Sequence, residues 1–189
     1  MKLLAGLLGC LLLCPAIALA ADPFVYDYVD VGYQHQALEN GSTAKGPSIE
    51  ASYTIWSELQ LLGGYERLDT PAPVSDITND NYYVGIRGES NFTDSTDFYT
   101  DILYLNNRST DQTTRTTDTG YRLALGMRHL FNRWIEFDGS VGHNSLTLSS
   151  NDGSVGLLVN ATAWMAVGLS YTHDSVTNNT TSLNLRFYF

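Results

Sequence analysis

"SLNLRFYF", residues 182–189, ends the chain. Leu183, Leu185, Phe187 and Phe189 fall on one parity, and Ser182, Asn184, Arg186 and Tyr188 fall on the other. Side chains alternate across a strand, so this segment reads as a strand with one continuous apolar face and one polar face. The fold turns on what the apolar face meets, a protein core or a medium outside the protein.

The same alternation recurs upstream. "SIEASYTI" (48–55) places Ile49, Ala51, Tyr53 and Ile55 opposite Ser48, Glu50, Ser52 and Thr54. "GYRLALGMR" (120–128) places Tyr121, Leu123, Leu125 and Met127 opposite a face that holds Arg122, Ala124, Gly126 and Arg128. Comparable segments fall near 24–37, 59–68, 81–90, 96–106, 134–147, 154–163, 166–174 and 181–189, and no stretch carries a helical period. The connections alternate as well. Those at 56–58, 91–95, 130–133 and 163–165 are short, and those at 38–46, 69–80, 106–118, 149–154 and 174–179 are generally longer and polar. The pattern predicts an all-β fold, a single up-and-down antiparallel barrel of ten strands, with eight as the alternative. An even count returns the last strand beside the first, so every edge is paired. In a transmembrane barrel the short side is periplasmic and the long side extracellular.

A soluble ligand-binding barrel has the same alternation with the apolar face inward. Two features favour the opposite orientation. The polar face combines charges with small residues: Glu50, Glu66, Arg87, Glu89, Arg122, Glu136, Asp138 and Arg186 alternate with Gly64, Gly85, Ala124, Gly126 and Gly142. Small residues suit the crowded interior of a narrow barrel. The aromatics are also sorted by end. Trp56, Trp134 and Trp164 lie at the short turns with Phe92 and Phe131 nearby, while Tyr33, Tyr65, Tyr82, Tyr104, Tyr121 and Tyr171 lie toward the long loops. Two aromatic belts one strand length apart match the two interfaces of a bilayer. The apolar face, including Leu183 to Phe189, is therefore expected to meet lipid.

The chain opens "MKLLAGLLGCLLLCPAIALAADPF", with one Lys, an apolar run from Leu3 to Leu13, and small residues at Ala18 and Ala20. This predicts a secretory signal peptide over 1–20, cleaved after Ala20 with Ala21 as the second choice, and a barrel over 21–189. Both cysteines, Cys10 and Cys14, fall within that peptide, which leaves no thiolate for a metal centre and no disulfide. Without Lys2 the chain carries nine basic residues against 20 acidic ones, a net charge of −11. Such a charge opposes nucleic-acid binding.

Leu183, Leu185, Phe187 and the terminal Phe189 resemble the C-terminal assembly signal of Gram-negative outer-membrane proteins, which implies recognition by the barrel-insertion machinery. The strand and turn rhythm of the whole mature length resembles the small barrels of the OmpA/OmpX type. It is closer to the ten-stranded Ax-type outer-membrane proteins of xanthomonads, in stretches such as "EASYTIWSELQLLGGYERLD" (50–69). These resemblances imply location in the bacterial outer membrane and a barrel fold, and they carry no catalytic motif.

"HNS" (143–145) has the His-x-Ser spacing of barrel lipid A deacylases, but no Glu follows Glu136, and Asp152 is expected in a loop. A serine nucleophile needs a base oriented by an acid. "THD" (172–174) resembles part of the His/Asp arrangement of omptin proteases, and nothing selects Asp69 or Asp101 as the facing acid. His35 and His129 are isolated, and no cluster has metal-ligand spacing. No enzyme activity, cofactor or metal is expected.

Buried ions need partners. Arg87, Arg122 and Arg186 are therefore expected to pair with Glu50, Glu66, Glu89, Glu136 and Asp138 in a network that fills the lumen. The expected role is structural or surface-interacting, with a narrow porin-like channel lined by the same charges as the alternative. The expected partners are outer-membrane lipid and lipopolysaccharide, with the barrel as a monomer.

Overall fold

A computed structural model describes residues 24–38, 41–71, 77–111, 113–176 and 178–189. The expected signal peptide and its cleavage site lie outside the described residues. Ten strands follow in order: β1 Tyr28–Ala37, β2 Thr43–Trp56, β3 Leu59–Thr70, β4 Ile77–Thr93, β5 Thr96–Thr110, β6 Arg115–Asn132, β7 Ile135–Ser145, β8 Ser150–Thr162, β9 Met165–Asp174 and β10 Asn178–Tyr188. Each pairs antiparallel with its sequence neighbour, and β10 pairs with β1, which closes the barrel. Ten strands are thus observed and the eight-stranded alternative is not. No helix among the described residues is long and apolar enough to cross a membrane; the crossing elements of this fold are strands.

The short side consists of two-residue hairpin turns at 57–58, 94–95, 133–134 and 163–164. Before each turn the first strand slips by one residue, at Ile55, Phe92, Phe131 and Ala161. One extra residue on one strand bends it and raises its twist, which suits a small closed barrel. Three of the turns are braced by the residue that opens them. Thr93 Oγ1 accepts from Ser95 N, Asn132 Oδ1 from Trp134 N and Ile135 N, and Thr162 Oγ1 from Trp164 N. These are side-chain mimics of a backbone turn.

Toward the long loops the strands run further than their apolar alternation indicates. β5 continues to Thr110 and β6 begins at Arg115, so most of the 106–118 connection is a polar hairpin rather than a loop. Thr-rich sequence tolerates this because β-branched residues pack well on a pleated surface. At the other end, pairing begins at Tyr28 rather than near residue 24. Residues 24–27 turn inward instead, with Phe24 and Tyr26 buried.

The usual distribution of polarity is inverted. Val31, Ile49, Ile102, Leu125, Val141, Val155, Leu169 and Leu183 are exposed on the outer face, and the buried polar and charged residues are inside the barrel. That inversion identifies lipid as the outer solvent.

Candidate functional site: the lumen

The inner face is built from side chains at alternate positions, and its lower half is densely filled. Four ion pairs cross it. Arg87 holds Asp101 through Nε–Oδ1 at 2.7 Å and Nη2–Oδ2 at 2.9 Å. Arg186 holds Asp30 through Nη2–Oδ2 at 2.8 Å, with Nε 3.1 Å from Oδ1. Arg122 reaches Asp152 at 2.6 Å, and Arg128 reaches Glu136 at 2.6 Å. The pairs of Arg87, Arg122 and Arg186 are forked, a geometry stronger than a single contact, whereas Arg128 meets Glu136 through Nε alone.

Arg87, Arg122 and Arg186 lie inside and paired, but each with a carboxylate other than those expected, and Arg128, absent from the expected network, takes Glu136. Asp30 stands directly across from Arg186, and Asp101 directly across from Arg87, in register. Directly opposite residues have the shortest Cβ separation in an antiparallel pair, so they pair first. Arg122 crosses β7 to reach Asp152 on β8, and Gly142 makes room: a Cβ there would lie 2.8 Å from Asp152 Oδ1. Asp152 lies in strand β8 rather than in a loop.

Glu50, Glu66 and Asp138 have hydroxyl or amide partners. Glu50 accepts from Tyr28 OH at 2.7 Å and from Tyr83 OH. Glu66 accepts from Asn81 Nδ2 at 2.7 Å, and Asp138 accepts from Tyr99 OH at 3.1 Å. Glu89 sits on β4 in register with Tyr99. Two of these tyrosines lie flat against glycines directly opposite them. A Cβ on Gly64 would fall 2.3 Å from the Tyr83 ring, and one on Gly126 would fall 2.1 Å from the Tyr99 ring. Gly64 and Gly126 are thus seats for aromatic rings. The Arg87 guanidinium stacks 4.0 Å from the centroid of Tyr99, and Arg186 stacks 3.9 Å from that of Tyr28.

Below this lattice, at the short-turn end of the barrel, Phe24 and Tyr26 of the segment before β1 pack inward. Arg128, only 1% exposed, lies 5.1 Å over the Phe24 ring and 4.4 Å over Tyr26. Tyr26 OH donates to Asp97 Oδ2 at 3.1 Å. Ser52, Gln60, Asp97 and Glu136 are buried in the same layer. Above it, a cavity of about 1230 Å³ runs from Tyr28, Arg87, Arg128 and Arg186 up to Gln36, Asn107, Thr116 and Thr180 at the loop end. Its upper wall is mostly amide and hydroxyl.

The candidate catalytic groups do not assemble. His143 points outward and its Nδ1 lies 2.9 Å from Asn151 Oδ1, while Asp152 faces the lumen. His173 bonds Asn179 at 2.8 Å, while its neighbour Asp174 accepts from Ser150 in the interior. Among the described residues no three His, Cys, Asp or Glu side chains converge as a metal site.

At the outer surface, Trp56, Trp134 and Trp164 are exposed at the short-turn end, and Trp164 stacks on Phe187 with centroids 6.4 Å apart. Tyr33, Tyr104, Tyr121 and Tyr171 are exposed toward the loops, and Tyr65 packs on Tyr82 at 4.8 Å. Leu183, Leu185 and Phe189 are exposed on the lipid face of β10, and Phe189 N donates to Asp27 O at 3.2 Å.

Residues 6–189 match the model of the outer membrane protein beta-barrel domain family. The chain belongs to that family. It is an outer-membrane β-barrel, which places it in the bacterial outer membrane. Among solved structures it resembles Neisserial surface protein A at 16% identity, with a TM-score of 0.47 and coverage of 86% of this chain and 96% of that one. It resembles the NanC porin at 11% identity, with a TM-score of 0.52 and coverage of 86% and 100%. The beta domain of the Bordetella autotransporter Brka matches at 10% identity, with a TM-score of 0.52 and coverage of 88% and 100%. At these identities the likeness concerns the fold alone. No curated protein matches the chain by sequence.

Proposed function

We propose that this barrel is a non-conducting outer-membrane protein with a structural or surface-interaction role, exported by its N-terminal signal peptide and inserted through its C-terminal strand. The observation that carries this reading is the sealed layer in which Arg128 is enclosed by Glu136, Phe24 and Tyr26. An ion crossing the barrel would have to displace that layer, and removing one partner of a buried ion pair is costly. The lumen serves to stiffen the wall, and the loop-end cavity and outer rim are the surfaces open to partners. No catalytic role is assigned, because His143 bonds Asn151 and His173 bonds Asn179 on the outer face, while Asp152 and Asp174 face the interior.

A narrow channel is the second reading, favoured by the cavity of about 1230 Å³ above the seal. Planar-bilayer recording separates the two. The purified barrel is expected to be silent, and Phe24→Gly combined with Tyr26→Gly is expected to produce current. Steady current from the unaltered protein would establish the channel instead.

A further inference from the structure

The cavity wall changes character along its length. At its lower end the polar heads satisfy one another, through the arginine pairs and the tyrosine–carboxylate bonds. Toward the loop end Gln34, Gln36, Asn107 and Asn184 line the cavity, and none of their side-chain amides bonds another described residue. Each amide therefore keeps both a donor and an acceptor for a guest.

Strand register shows how the amides are displayed. Asn184 on β10 stands directly opposite Gly32 on β1 and Gly168 on β9. A Cβ on Gly168 would lie 2.5 Å from Asn184 Oδ1, and one on Gly32 would lie 2.8 Å from Ser48 Oγ. The two glycines thus clear the wall on both sides of the amide. In the next inward row toward the loops, Gln34 faces Ser182, which in turn faces Ser170. These small hydroxyl neighbours leave the Gln34 head unobstructed.

Charge and wall chemistry narrow the guest. Arg87, Arg122, Arg128 and Arg186 are each committed to a carboxylate. Glu50, Glu66 and Asp138 also line the cavity, and they meet hydroxyl or amide groups rather than a guanidinium. A cavity with this excess of carboxylates disfavours an anionic guest. Sites for apolar small molecules have mainly hydrophobic walls and volumes of roughly 300–1,000 Å³. Here the volume is about 1230 Å³ and the wall toward the loops is mostly amide and hydroxyl, which suits a hydrophilic oligomer. In the loops at the mouth the lining turns aliphatic, with Leu38, Leu146, Leu148 and Val176. Pyranose rings have both matching surfaces: hydroxyl edges for amides and C–H faces for aliphatic side chains.

We propose that the loop-end cavity is a capture site for a short uncharged oligosaccharide. The site rests on the non-conducting reading above, under which the guest enters and leaves by the same mouth.

The test is saturation-transfer difference NMR on the barrel in lauryldimethylamine oxide micelles, a detergent without sugar. The probes are maltotriose, cellotriose and chitotriose, with trigalacturonate as the anionic counterpart. At least one uncharged trisaccharide should bind, and trigalacturonate should bind about tenfold more weakly or not at all. Gln34→Leu with Asn184→Leu should weaken binding about tenfold. His35→Gln, one position from Gln34 but on the outer face, should leave it unchanged. Heat-dependent gel mobility checks folding, and Gln36→Leu with Asn107→Leu serves if the first pair does not fold. Binding of none of the uncharged probes, equal binding of trigalacturonate, or full binding by the folded leucine variant would overturn the proposal. Swelling of proteoliposomes in the trisaccharide separates the site from the reading it rests on. Swelling together with binding keeps the site and overturns the non-conducting barrel; neither swelling nor binding keeps the barrel closed and overturns the site.

Discussion

Arg186 on the last strand and Asp30 on the first are directly opposed across the seam that closes the barrel, and they are joined by a forked ion pair. The two residues are separated by 156 positions in sequence. Each side chain is 12% exposed. Arg186→Ala leaves Asp30 beside Glu50, its register partner on β2, without a cation. Removing one partner of a buried pair costs about 3–5 kcal/mol. Urea unfolding in detergent should show a loss of that order, whereas Arg115→Ala on the exposed rim should be near neutral. Asp30→Asn combined with Arg186→Gln should recover part of the loss, and an additive double variant would remove the pair from the account.

The tyrosines seated on glycines make a second, steric prediction. Gly126→Val forces a side chain into the space of the Tyr99 ring, which in turn stacks on Arg87 and donates to Asp138. Overpacking of this sort costs about 1–3 kcal/mol. Gly88→Val, where a Cβ meets nothing within 4 Å, is the matched control and should be tolerated. Comparing their unfolding midpoints decides the point.

Phe189 is exposed at the end of the lipid face, and its removal leaves the lumen contacts untouched. Deletion of Phe189, or Phe189→Asp, should lower the amount inserted in the outer membrane while leaving the stability of correctly folded barrels nearly unchanged. Fractionated membranes probed for the barrel provide the measurement. Normal levels of the deletion variant would argue against an assembly role for the last residue.

At the tip of the β5–β6 hairpin, Asp111 Oδ1 accepts from Thr113 N at 2.8 Å and Thr114 N at 2.7 Å. These backbone donors hold the Asp111 carboxyl below the usual range. A depressed folded-state value means that loop order is present above the ordinary aspartate pKa and lost as pH falls through the lowered one. Amide exchange at Thr113 and Thr114 should therefore stay slow at neutral pH and quicken only in stronger acid. Asp111→Ala should make it fast throughout.

Alternation in segments such as Ile49 to Ile55 was enough to expose the barrel and its outer face, because period two leaves only two ways to assign a strand. It was less informative about partners across the lumen. Arg87 and Asp101 lie on either side of a two-residue turn, but the extra residue at Phe92 shifts the register between them, and nothing in the sequence marks that slip. Asp152 follows Asn151 and precedes Gly153, a signature that reads as a turn, yet β8 already includes it. Long barrel strands that project beyond the membrane override local turn preference. Phe24 and Tyr26 look like the start of a strand by composition, and only the burial of Arg128 explains why they fold inward.

The sealed layer around Arg128 also determines where an electrical gradient would fall. Water filling the cavity above would share the potential of the medium at the loop end down to Tyr28 and Arg186, which line its lower end. In a non-conducting barrel, any potential difference would then be concentrated over the few side chains between Arg128 and Phe24, rather than spread along the full strand height. The field there is correspondingly steep, and it acts on a guanidinium held between two aromatic rings and a carboxylate.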